Sequence, residues 1–203
     1  MYLINSRKYD LQSLCIFYFW AYKNVKIMKK TIIIYGVIAG IIVSVLMLFS
    51  MHNLSHCEGG IDYNSSMLIG YASMLIAFSL VFVGIRNYRD KYNAGIISFG
   101  KAFKLGIMIA LIASTFYVVA WLIYYFFFIP DFMEKYSAHA LEELRVGGAN
   151  QLKIKQKTQE MAEFAMMYKN PFFNAMMTYM EILPVGLIVT LISSLILKRK
   201  TAI

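Results

Sequence analysis

Four long stretches of this chain are almost without charge. Lys, Arg and Asp are absent from Ile32 to Met51, Met67 to Ile85, Leu105 to Ile129 and Phe172 to Leu197, and Glu181 is the single acidic or basic side chain in all four. Each stretch is long enough for the ~20 helical residues that cross a hydrocarbon core of roughly 30 Å. Their apolarity is continuous, which excludes the alternating strands of a membrane barrel and leaves helices as the structure that satisfies the backbone in lipid. A chain of 203 residues with 60% apolar and only 15% charged residues is also excluded from the usual soluble classes. The expected fold class is all-α, an integral membrane four-helix bundle.

Basic residues are missing from one side of this arrangement. The first connection, His52 to Ser66, has no Lys or Arg, and the third, 130–171, balances six basic residues against six acidic ones. By contrast, Arg7, Lys8, Lys23, Lys26, Lys29 and Lys30 precede the first span. Arg86, Arg89, Lys91, Lys101 and Lys104 lie between the second and third, and Lys198, Arg199 and Lys200 follow the fourth. Because Lys and Arg accumulate on the cytoplasmic side, both termini are expected inside. The net charge of +9 is then a topology signal and points to no nucleic-acid partner. Only two cysteines are present, Cys15 inside and Cys57 outside on this reading, so no intramolecular disulfide is expected.

Residues 1–27 stand apart from the single membrane domain expected over 28–203. Leu11 to Tyr22 (LQSLCIFYFWAY) is apolar but too short to span, so it either lies in the interface or precedes the natural start. Met28 opens MKKTIIIYGVIAG, a short basic lead followed at once by a span, and a start at Met28 is the preferred reading. The first span is longer than the roughly 7 to 15 apolar residues of a cleaved signal peptide.

The connection 130–171 is polar but patterned. Phe132, Tyr136, Leu141 and Leu144 recur near helical spacing, Gly147-Gly148 is a stop, Asn150 can cap a second segment, and Met161, Phe164, Ala165 and Tyr168 form its apolar face. An extracytoplasmic helical hairpin follows, its stripe folding onto the bundle or facing a partner. In the second connection, Tyr88, Tyr92, Phe99 and Phe103 alternate with cations, which suits either an interfacial helix or turn, or a solvated loop.

The run GIRNYRDKYNAGIISFGKAFKLG (Gly84 to Gly106), the segments PDFMEKY and YKNPFFN, and the end EILPVGLIVTLISSLILKRK together resemble the uncharacterised bacterial membrane proteins of domain-of-unknown-function family 4199. The resemblance covers Met28 to Lys200. It implies a four-span inner-membrane protein, and it supplies no activity, cofactor or site residue.

Candidate chemistry is sparse. Gly95 to Ala102 (GIISFGKA) approaches a phosphate-binding loop, but Ala102 stands where a Ser or Thr must hold magnesium, and a span precedes the loop where a strand should. His52 and His56 are four apart, with Cys57 and Glu58 beside them; these are ligand types suited to zinc or copper, but Gly59-Gly60 and the lack of a second ligand pair favour a polar turn at the membrane surface. No cofactor and no nucleophile–base pair is read, so the chain is expected not to be an enzyme. Small residues recur every fourth position at Gly36, Gly40 and Ser44, at Gly106, Ala110 and Ser114, and at Gly186, Thr190 and Ser194. Such stripes let membrane helices approach closely, within one chain or between copies.

Glu181 is the exception to the uncharged spans. Counted from Phe172 it lies about 13 Å deep at 1.5 Å per residue, near mid-bilayer, where an ionised carboxylate is costly. Pro184 removes a backbone donor and frees the carbonyl of Met180. A broken helix beside a carboxyl is how transporters build ion sites. A structural acid bonded to Ser44, Ser73, Thr115 or Tyr117 is the other reading. The expected function is a non-enzymatic inner-membrane protein acting through association with itself or another membrane protein in the lipid bilayer. The alternative is a small proton- or ion-coupled transporter using Glu181.

Overall fold

A computed structural model describes the backbone of residues 3–56 and 63–199, and the side chains of residues 25–51 and 68–199. The described residues form six helices: α1 (Leu3–His56), α2 (Tyr63–Tyr92), α3 (Phe99–Phe127), α4 (Phe132–Val146), α5 (Gln151–Tyr168) and α6 (Pro171–Leu197). Four helical stretches are long and apolar enough to cross a membrane, namely Val25–Met51, Leu68–Tyr92, Phe99–Phe127 and Pro171–Leu197. They contain or closely match the four uncharged runs. Their outward surface is itself apolar, with Ile41, Phe49, Leu75, Ile123, Ile188 and Ile196 all exposed. This is the surface expected where hydrocarbon is the solvent.

The helices continue past the apolar runs at the basic end. The 54 residues of α1 run without interruption from Leu3, a length of about 81 Å at 1.5 Å per residue. Likewise α2 extends to Tyr92 and α3 begins at Phe99, so the basic connection is only the turn 93–98. Neither a separate interfacial helix nor a long solvated loop is present. Lys and Arg are good helix formers, and Arg89 and Lys91 in the last turn of α2 suit its negative dipole end. The Tyr88 ring is fully buried in the bundle, whereas Tyr92 and Phe99 are exposed.

Packing follows the small residues. α1 and α6 occupy opposite corners, each packed on α2 and α3, and α2 and α3 touch across the middle. A Cβ on Gly36 would lie 2.8 Å from Ile112 Cβ, and one on Gly40 would lie 2.7 Å from Phe116 Cβ, so the α1 stripe receives α3. Gly106 faces Thr190 and Gly186 faces Ala110, so the α3 and α6 stripes meet each other. All three stripes therefore serve contacts within one chain. The core between them holds Val43, Met74, Phe78, Val81, Ile109 and Ile182.

At the hairpin end, Asn150 caps α5 by accepting from Lys153 N at 2.8 Å, and the chain turns through Gly148 at φ +72°. The base of the hairpin docks through aromatic rings: Phe132 lies edge-on to Trp121 at 5.4 Å, and Tyr168 edge-on to Tyr125 at 5.3 Å. Beyond this base α4 packs on α5, and α5 has no fully buried residue.

At the opposite end the turn is clasped to the end of α6. Ile97 N donates to Arg199 O at 3.2 Å and Arg199 N to Ile97 O at 2.9 Å. Arg89, only 7% exposed, donates to Leu197 O at 3.3 Å and pairs with Asp90 at 2.6 Å. These bonds rule out a phosphate cradle at Gly95 to Ala102, because the amides of Gly95 and Ile97 already donate to Arg89 O and Arg199 O.

Candidate functional site

One side of α6 carries polar groups at helical spacing. Asn170 begins it, its side chain accepting from Phe172 N at 2.9 Å, with Pro171 in the first turn where its missing N–H costs nothing. Asn174, Thr178 and Glu181 then follow at i, i+4 and i+7, which places them along one strip from the hairpin end to mid-span.

The first two are buried and bonded. Asn174 Oδ1 accepts from Trp121 Nε1 on α3 at 3.0 Å, and Asn174 Nδ2 donates to Tyr168 O at 3.4 Å. Thr178 Oγ1 donates back to Asn174 O at 2.9 Å. One amide thus ties α3, α5 and α6 together below the hairpin. Burial pushes the Tyr168 phenol above its ordinary value, with side-chain hydrogen bonds to Trp121 and Thr178 acting the other way. The sequence reading singled out Glu181 and missed Asn174 and Thr178, although their spacing from Glu181 was the signal.

Glu181 is different. Its side chain is exposed on the lipid-facing side of the bundle, as is Pro184 one turn on. None of the hydroxyl partners considered for it is used in that way. Ser44 donates to Gly40 O at 2.7 Å, Ser73 to Ile69 O at 2.8 Å and Thr115 to Leu111 O at 2.9 Å, and Thr115 also accepts from Tyr179 at 2.9 Å. Tyr117, 8% exposed, lies within electrostatic reach of Glu181 without a hydrogen bond to it. Among the described residues the Glu181 carboxyl has no hydrogen-bond partner. Nor is the helix broken, because α6 is continuous through Pro184. One lost backbone bond is tolerated where the flanking turns remain packed.

For the polar cluster at the end of the first span, α1 extends through His56, so the backbones of His52 and His56 are one turn apart. Their side chains, and all of Cys57 and Glu58, lie outside the described residues. Among the described residues no group of three His, Cys, Asp or Glu side chains could hold a metal ion.

A bundle of four membrane-crossing helices with a docked helical hairpin defines a multi-pass membrane protein. A family model described as Protein of unknown function (DUF4199) matches residues 34–199, and the chain belongs to that family. No curated protein and no solved structure matches it.

Proposed function

We propose that this is a non-enzymatic protein of the bacterial inner membrane, with both termini cytoplasmic and the hairpin outside, that works by associating with a membrane protein in the plane of the bilayer. The observation that carries this reading is Glu181, an exposed acid midway along α6 with no partner among the described residues. Lipid tails can neither donate nor accept, so a carboxyl facing them is costly and a protein partner at that depth relieves the cost. The unbroken course of α6 through Pro184 favours this over a carrier, whose ion sites are built where a helix unwinds. The test is particle size in native-lipid nanodiscs together with proton flux in proteoliposomes. Wild type should run larger than one chain, Glu181→Leu should run smaller, and neither should pass protons. A well-folded wild type that runs as a single chain overturns the proposal. Flux that Glu181→Gln abolishes would replace it with the proton-coupled transporter.

A further inference from the structure

We propose that the lipid-facing patch carrying Tyr71 and Glu181 is the docking surface for a second copy of this chain. This rests on the association reading above and names its partner. The patch spans two neighbouring helices: Leu68, Tyr71 and Leu75 follow one another along α2, and Glu181, Pro184 and Ile188 along α6, all six exposed. The spacing i, i+3 or i+4, i+7 puts each trio on one helix face. α2 and α6 pack directly on one another, so the exposed faces carrying Tyr71 and Glu181 adjoin on one side of the bundle. Among the described residues neither the Tyr71 hydroxyl nor the Glu181 carboxyl makes a hydrogen bond.

A solitary chain therefore leaves the Glu181 carboxyl unsatisfied at mid-span, where it costs free energy, and the Tyr71 phenol unbonded about one turn inside the span that begins at Met67. Their chemistry selects the partner. A phenol donates, and a carboxyl accepts in either protonation state, so the patch is complementary to itself. A two-fold axis along the membrane normal beside the patch would set Tyr71 of each copy against Glu181 of the other, and two equivalent bonds would form across an isologous contact. A helix offering only a cation would answer Glu181 and leave Tyr71 unbonded, and a lipid headgroup does not reach mid-span. The surrounding surface fits, since Leu68 at 70%, Leu75 at 55% and Ile188 at 57% exposure supply apolar area on both sides of the polar pair. The corner position of α6 leaves this face clear of α1.

The experiment uses the full chain with Cys15 and Cys57 replaced by Ser and a new cysteine at Ile188→Cys on the patch, or at Ile38→Cys on the lipid face of α1 as control. Oxidation in native membranes should link the first variant into a species of twice the chain mass and leave the control single. Adding Tyr71→Phe and Glu181→Leu should weaken the dimer in nanodiscs by about tenfold or more, on the measured strength of interhelical bonds in lipid. Thermal unfolding in detergent checks that these variants fold, and Tyr71→Phe alone, which removes one hydroxyl, serves if the pair does not. A cross-linked species of any other mass would overturn the second copy as partner and leave the association reading standing. Equal linking from both cysteine positions would overturn the patch. Single chains under every condition would overturn both.

Discussion

Hydroxyls in the spans of this bundle divide into two groups with opposite consequences. Thr31, Ser44, Ser73, Thr115 and Thr178 each close onto the carbonyl four residues back. The hydroxyls of Tyr88, Ser114, Thr190 and Ser194 are buried and have no hydrogen-bond partner among the described residues. An unsatisfied buried hydroxyl costs about 1–3 kcal/mol. Thr190→Val, which keeps the shape and removes the hydroxyl, should therefore raise the unfolding temperature in detergent, and a fall would mean that a bond to Thr190 exists in the membrane. The opposite is expected at Asn174, where the amide is fully used. Asn174→Ala would leave the Trp121 N–H buried and unpaired, and on the range measured for bonds between helices in lipid it should cost roughly 0.6–1.7 kcal/mol. A change in Trp121 fluorescence should accompany it. At this scale the sequence was only partly legible. Glu181 stood out because charge is rare in apolar runs, but its exposure depends on how α6 is rotated, and one helix alone does not contain that information. Asn174 and Thr178 are ordinary residues whose importance comes from Trp121 and Tyr168, distant in sequence.

The helices themselves could be read closely, because length, capping and apolarity are local properties. Gly147-Gly148 and Asn150 marked the hairpin turn, and α4 and α5 end and begin there. What each small stripe packs against could not be read, since a stripe is equally suited to a partner in the same chain or in another. The structure assigns them internally, and the assignment can be tested at two glycines. Gly40→Ala places a methyl 2.7 Å from Phe116 Cβ between closely packed backbones and should destabilise by about 1–3 kcal/mol. Gly70→Ala in α2, with nothing within 4 Å, should instead stabilise by up to about 1 kcal/mol through helix propensity. Equal effects at both would contradict the α1–α3 contact. The docking of the hairpin has its own signature in pH. An unfolded tyrosine phenol titrates near pH ~10, and burial raises Tyr168 above that in the folded protein. The docked base thus has its full stability below pH 10 and loses it as pH rises through the folded value, because the unfolded state gives up the proton first. Hydrogen exchange of α5 should accelerate over that window in wild type and stay flat in Tyr168→Phe. The same acceleration in both would show that another group governs docking.

At the scale of the whole molecule, the cations do two jobs at one end. Antiparallel packing brings the basic residues that precede the α1 span, end α2, open α3 and follow α6 to the end bearing the turn 93–98, while the hairpin itself, 130–171, is neutral overall. Read from sequence, this asymmetry is only an orientation signal. In the folded chain some of the same residues also hold the end together. Arg89 reaches the last carbonyl of α6, Lys101 Nζ donates to Asn93 Oδ1 at 3.0 Å while standing 5.1 Å above the Tyr88 ring, and the Arg199 backbone pairs with Ile97. The positive end is therefore a rigid cap as well as a charged one, and turning the molecule over would carry this whole ordered cluster across the bilayer. Thiol labelling of intact cells with a membrane-impermeant maleimide should then modify Cys57 and spare Cys15, and permeabilised cells should label both. Labelling of Cys15 with protection of Cys57 would invert the orientation, put the hairpin in the cytoplasm, and leave the cap as the only role of these cations.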